Sequence, residues 1–472
     1  MKEKLAEIGN YKNFNTQLAI LDRMADPGNL TVSLNGFEGC SSTLSKSGTE
    51  LELVIDGVFA PSEPEKGVKA EVDGKSVILY SRDLLYPYNT RLLSGVRAVH
   101  RYEVNRMQTA DFGNAPDIYR CYFPSNVKQL NTFIFLFETL HYQTDRTLYG
   151  YDCIRISAQG IPYDILQVKH DGRGYYVFEN LDPVSLESFK DTCFAIQQAV
   201  GFLTGYMPGG EEYIFRGTDF SYTSKVRQAM KSIYNPINTN AYSKLYDHHE
   251  AAEKYHGKLT KIPASVASRL IDLLCSNGDF SATVILTMEA ASVRSLLLIP
   301  SAFSVIIESL SRIIAVPQSG SHVPISDKLL AKEIISGLQG YLDSYSHVLS
   351  TPDLLTLKRR LGGINRPVVL QKLTNNEKLT QPFGQLGIAL SLADITAIEH
   401  RNDLLHGDIL LSDGKELADE QVNAYMMYVS GKLYTLISKL ILKYAGYDGY
   451  VINYAKFSDE EFAATEDFYD LI

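Results

Sequence analysis

The sequence has no tryptophan and only five cysteines, Cys40, Cys121, Cys153, Cys193 and Cys275, none of them closely paired. An odd, scattered set excludes a disulfide scaffold and a cysteine-rich zinc site, and it points to a reducing, cytoplasmic setting. Long uncharged apolar runs are missing too. The most hydrophobic stretch, Ser281 to Val316, carries Glu289, Arg294, Glu308 and Arg312 and is interrupted by Pro300, which argues against a bilayer span. The opening MKEKLAEIGN lacks the apolar core of a signal peptide. Basic charge is in deficit: 45 Lys and Arg against 55 Asp and Glu give a net of −10, which excludes a basic coat for nucleic acid over the whole surface. There is no G-x-x-x-x-G-K-S/T loop, no G-x-S-x-G elbow and no H-E-x-x-H pair, so the commonest phosphate-loop, serine-hydrolase and zinc-protease signatures are out.

What remains is a globular mixture, 45% hydrophobic and 21% charged over 472 residues, long enough for two or three domains. Half of the net charge lies in the last 22 residues, where Lys456 is the sole cation against Asp459, Glu460, Glu461, Glu466, Asp467 and Asp470. Residues 451–472 therefore read as a solvated acidic tail, or alternatively as a nucleic-acid mimic covering a basic surface.

The rest of the chain changes period near its middle. Short β-branched or alternating runs separated by turn signals fill the front: Leu51–Ile55, Val68–Val72, Ser76–Tyr80, Thr132–Phe137, Cys153–Ser157, Tyr163–Lys169 and Tyr175–Glu179. Asp73–Gly74 and Asp171–Gly172 supply the positive φ that tight hairpins need. A Ser-capped amphipathic helix is expected near 185–206. Beyond about residue 260 the pattern is helical, with helices expected at Ala264–Cys275, Ser281–Leu298, Ser301–Ala315, Asp327–Leu349, Pro352–Leu361, Gly384–His406 and Ala418–Tyr444. The expected fold class is α+β in series: a β-rich region 1–260, an all-α helical bundle 261–450 and the tail.

The string Ile398–Glu399–His400–Arg401–Asn402–Asp403–Leu404–Leu405–His406–Gly407 carries the most chemistry. It closes a helical pattern and meets a glycine suited to a helix C-terminus. Asn402 and His406, four apart, share a face, and the long stem of Arg401 reaches round to the same place. A histidine in a last turn feels the negative helix end, which favours its protonated form; an imidazole ordinarily titrates at about 6.5. Arginine is a permanent cation shaped for phosphate oxygens. Together they can move protons and stabilise a phosphorane without a metal.

Arg401–Asn402–x–x–x–His406 resembles the R-x4-H signature of HEPN ribonucleases, and Phe303–Arg312, with Glu308 in an apolar helix, resembles the early helix of the ApeA-like anti-phage group. The order of a β-rich front, this Glu helix and then the Arg-Asn-His helix is similar as well. The resemblance implies a metal-independent and cofactor-free endoribonuclease leaving a 2′,3′-cyclic phosphate and a 5′-hydroxyl. His406 is then general acid or base, Arg401 stabilises the phosphorane, and Asn402 positions the phosphate or the Arg. It also implies a homodimer, a phage-derived trigger on the front half, no membrane partner, and abortive infection by cleavage of host RNA such as tRNA. Glu308 either orients Arg401 or His406, or pairs with Arg312 one turn on.

Between Leu354 and Lys372 the chain carries Lys358, Arg359, Arg360, Arg366 and Lys372 with no acid, an RNA-binding footprint or a solvated helix end. Two other classes compete with the nuclease. One is a HEPN-like bundle without activity that only dimerises or binds a partner, with the front half as a recognition module. The other is a metal-dependent hydrolase built on His249, Glu253 and His256, which share a helical face.

Overall fold

Along the central strands, side chains alternate between two buried faces. On Arg120–Ser125, Cys121 and Phe123 join one core and Tyr122 the other; on Arg173–Asn180, Tyr176 and Phe178 oppose Tyr175 and Val177. A strand buried on both faces carries apolar residues at successive positions, which is why Tyr175–Phe178 reads as an unbroken run. The computed structural model describes residues 10–25, 30–34, 41–47, 50–57, 68–72, 74–80, 98–113, 115–130, 133–144, 149–224, 226–240, 249–293, 295–315, 321–322, 325–365, 368–369, 375–406 and 419–472.

Among these, fifteen strands are linked edge to edge, nearly all antiparallel. The hairpin Val68–Val72/Lys75–Tyr80 forms as expected, with Gly74 at φ 73°. Ile161–His170 and Arg173–Asn180 meet at the two-residue turn Asp171–Gly172, whose φ values of 44° and 75° are those of a primed turn. The expected strand Thr132–Phe137 is instead the short helix Phe133–Leu136. Its spacing brings Phe137 onto Phe133, which packs against Tyr176, and packing overrides the β propensity of the run.

One face of the sheet is covered by the N-terminal helix Phe14–Ala25 through Phe14, Leu18, Leu21 and Met24. The other takes the helix Leu186–Thr204, capped by Ser185 and ended by Gly205 at φ 75°. The same buried cluster continues from Phe112 through Val200, Ile262 and Leu270 to Phe303, Leu440 and Ala455. The β-rich front and the helical back are thus both present, but one hydrophobic core runs across residue 260.

The helical region departs from expectation in its breaks. Ala264–Ser276, Leu298–Ile314, Thr351–Leu361 and Asp419–Tyr444 lie close to the expected spans, while Gly278–Ser292 ends at Ser292 rather than at the expected Leu298, and Lys328–Asp343 stops before the following turns. The expected single helix Gly384–His406 is not formed. Asn375–Gln385 ends at a turn containing Gly387 at φ 73°, Leu392–Glu399 starts at a capping box between Ser391 and Asp394, and His400 separates it from Arg401–His406. Apolar periodicity continues through these breaks because all three pieces face the same core. Among the described residues no single helix is long and apolar enough to cross a membrane.

Residues 451–472 correct the expectation of a solvated tail. Tyr450–Ile452 pairs with Tyr469–Leu471, and Val451, Ile452, Asn453 and Ala455 are buried against the long helix Asp419–Tyr444. The carboxylates meet cations there: Glu466 takes Lys432 at 2.9 Å, Asp470 takes Lys439 at 2.5 Å and Asp467 takes Lys254 at 2.6 Å. Glu466 and Asp470 are thus paired within the fold, while Asp459, Glu460 and Glu461 are exposed. Gly431 allows the close approach, since a Cβ there would lie 2.8 Å from the backbone of Tyr454 and Ala455. Gly431→Ala is expected to destabilise the protein by about 1–3 kcal/mol, read as a lower urea midpoint at constant slope.

A candidate active site at the Arg401 helix

The Glu helix, Leu298–Ile314, buries Ile299, Phe303, Ile306, Ile307, Leu310 and Ile314 as a stripe. Glu308 lies at the edge of that stripe, where its carboxylate reaches the surface. Three contacts bring the Arg helix beside it. The Ser301 hydroxyl donates to the Leu404 carbonyl at 3.1 Å, Leu404 itself is buried, and His400 Nε2 pairs with the Tyr425 hydroxyl at 2.8 Å. A fourth, Ser311 Oγ to the Leu379 carbonyl at 3.3 Å, seats the helix Asn375–Gln385 alongside.

With these elements in place, Arg401 pairs with Glu308. Arg401 Nε donates to Glu308 Oε2 at 3.1 Å, and its Nη2 reaches the same oxygen. The side chains keep 22% and 36% of their surface, so the pair is neither dry nor fully solvated. Arg312 makes no ion pair with Glu308; its Nη2 donates to Ser309 Oγ at 3.4 Å. Of the two readings left open for Glu308, the contact to Arg401, 93 residues away, is the one formed. A fork of two N–H groups on one carboxylate oxygen holds the guanidinium in a fixed plane.

Beside this pair opens a cavity of about 300 Å³, lined by Glu308, Ser311, Arg312, Lys378, Gln381 and Arg401 with Leu379 and Ala315. Three cations surround one carboxylate, so the wall is net positive in a protein that is net negative. Comparison with family models, curated proteins and solved structures finds no match.

The remaining expected residues are placed unevenly. Asn402 and His406 lie on the helix Arg401–His406 with Arg401, but their side chains, like Gly407, are outside the described residues. Lys358, Arg359 and Arg360 occupy the last turn of Thr351–Leu361. Lys358 is engaged by Asp343 at 2.5 Å, while Arg359 and Arg360 are exposed. Arg366 and Lys372 lie outside the described residues. None of Lys358, Arg359 or Arg360 lines the cavity. In the rival metal set, the His249 side chain is outside the described residues, and Glu253 and His256 are exposed.

Sequence reasoning missed Lys378 and Gln381, which sit on a helix it did not delimit, and His400, which pins the break before Arg401 to Tyr425. It also missed a buried charge network on the helix that precedes Arg401. Asp394, in the capping box, accepts from Lys432 at 2.9 Å, and Glu466 accepts from Lys432, from Asn453 at 2.7 Å and from the Tyr428 hydroxyl at 2.8 Å. Burial pushes the Asp394 carboxyl up, but the ammonium groups of Lys439 and Lys432 outweigh it and hold it below its ordinary value. Burial pulls Lys432 down, and Asp394 and Glu466 outweigh that in turn and raise it. The signal for this network was present: Lys432 and Lys439, one heptad apart, are set in an otherwise apolar helix that precedes an acidic segment.

Proposed function

We propose that the protein is a metal-independent endoribonuclease. The observation that carries this reading is the pairing of Arg401 with Glu308 at the rim of a net-positive cavity, because it joins the two segments whose resemblance to HEPN ribonucleases was noted separately. In the proposed reaction an RNA 2′-oxygen attacks the adjacent phosphorus; His406 takes its proton while water protonates the departing 5′-oxygen, or protonated His406 gives its proton to that oxygen while water takes the 2′ proton. The new O2′–P bond closes a 2′,3′-cyclic phosphate, and the P–O5′ bond breaks to leave a 5′-hydroxyl. Arg401, held in plane by Glu308, stabilises charge on the phosphorane. Asn402 orients the phosphate or the guanidinium.

Two copies would bring their Arg401 and His406 sets to one cleft, with the front half responding to a phage-derived trigger and host RNA, such as tRNA, as the target. The hairpin of Lys328–Asp343 and Thr351–Leu361 is compatible with association: Leu329, Val348 and Leu355 are 81%, 71% and 60% exposed in the single chain. The test is to express wild type and His406→Ala in cells and sequence RNA 5′-hydroxyl ends. New ends with wild type alone support the assignment; identical end maps remove it.

The Lys358–Arg360 turn gives a separate expectation. Changing Lys358, Arg359 and Arg360 to Glu should weaken RNA binding and flatten its dependence on salt, with Arg359 and Arg360 carrying most of the effect because Lys358 is already paired. Dissociation constants measured across a salt series check this, and an unchanged slope would make the turn a solvated helix end.

A further inference from the structure

The cavity beside Arg401 has two further cations that the proposed reaction does not use. Arg401 is met by Glu308, but Arg312 and Lys378 are exposed and have no carboxylate partner among the described residues; Arg312 donates to the Ser309 hydroxyl. They come from different helices, Leu298–Ile314 and Asn375–Gln385, and converge on one concavity. Between them lie an apolar surface, Leu379 and Ala315, and the amide of Gln381.

We propose that this cavity is a nucleotide subsite, which takes the base and phosphate next to the scissile linkage of a single-stranded RNA. Three features select that ligand class. Guanidinium and ammonium groups with no carboxylate partner among the described residues suit phosphate oxygens. An apolar wall accepts the face of an unstacked base, and a glutamine amide presents both a donor and an acceptor to a base edge. The size is also restrictive: about 300 Å³ is the small end of ligand cavities, enough for one nucleoside but not for a paired duplex. An acidic peptide would satisfy the cations and leave the apolar wall and the amide unused. Arg312 and Lys378 are binding residues in this account and take no part in proton transfer. The choice of RNA rests on the ribonuclease reading; the anion-and-base chemistry of the cavity does not.

The test uses the full chain and a fluorescein-labelled, single-stranded 2′-O-methyl oligonucleotide, which binds but offers no 2′-hydroxyl for cleavage. Anisotropy across a salt series should give Arg312→Ala/Lys378→Ala a salt slope smaller by about 0.7, the loss of one single-strand phosphate contact. Arg312→Lys/Lys378→Arg should keep the wild-type slope. Gln381→Ala should weaken binding with the slope unchanged. Melting curves show whether each variant folds; both cations are exposed, so the substitutions leave the core intact. An alanine pair with wild-type affinity and slope would overturn the proposal. So would displacement of the oligonucleotide by polyglutamate as effectively as by unlabelled oligonucleotide. The two readings separate cleanly. A protein that binds through this cavity but never cleaves RNA defeats the nuclease assignment alone. One that cleaves RNA with KM and salt slope untouched by the alanine pair defeats the subsite alone.

Discussion

Arg401→Ala is expected to lower RNA cleavage by about 10²–10³-fold while leaving the melting temperature nearly unchanged. The rate effect follows from removing a fixed cation where phosphorane charge develops. The small thermal effect follows from geometry, since the Arg401–Glu308 pair is partly solvated and such pairs contribute about 0–1 kcal/mol. In the proposed reaction Glu308 acts through Arg401, as a positioning residue. Glu308→Gln should therefore cost less activity than Arg401→Ala, and the double variant should be no slower than Arg401→Ala alone, a non-additivity that a purely structural role would not give. His406→Ala should lose about 10²–10⁴-fold, the usual contribution of a positioned acid or base. Cleavage rates and melting curves measured on the same preparations check these expectations. Activity lost only in step with folding would sink the catalytic assignments.

Lys432→Ala should have the largest effect on stability, a loss of about 3–5 kcal/mol. The ammonium lies between Asp394 and Glu466, with exposures of 3%, 5% and 9% for the three side chains, and its removal strands two buried carboxylates. Because Asp394 is held below its ordinary value, its stabilising contribution is present above the unfolded carboxyl value of about 3.9 and disappears as pH falls through the lower folded value. In the variant the charge and hydrogen bond of Lys432 are gone while burial and Lys439 still act, so the Asp394 carboxyl protonates at higher pH than in wild type. The destabilisation relative to wild type should therefore be greatest near neutrality and shrink on acidification. Urea midpoints from pH 7 down to pH 4 measure this. A constant difference across that range would mean that the network is not what Lys432 supports.

The same network shows where sequence reading stops. The hairpins were legible because Asp–Gly turns act locally: Asp171–Gly172 adopts its turn between strands that pair through to His170 and Arg173. The Glu helix was legible because its stripe repeats every three or four residues. Breaks inside apolar periodicity were not, since Ser391, Asp394 and Gly387 act through capping and positive φ while the stripe runs on past them. Charge runs misled for a different reason. The acids after Asp459 suggested solvent, yet Glu466 and Asp470 are matched to lysines more than thirty residues earlier, a pairing that local pattern does not contain. The site was half legible. Arg401 and Glu308 were named as candidates, but only the fold joins them, and it alone adds Lys378 and Gln381 to the wall.

The most direct measurement is cleavage of a defined single-stranded RNA by the purified protein in excess chelator, with product ends identified by mass. The account predicts full activity, a 2′,3′-cyclic phosphate on one fragment and a 5′-hydroxyl on the other, and no cleavage at any position made 2′-deoxy. A reaction that stops in chelator, or that cuts the 2′-deoxy position equally well, would contradict it.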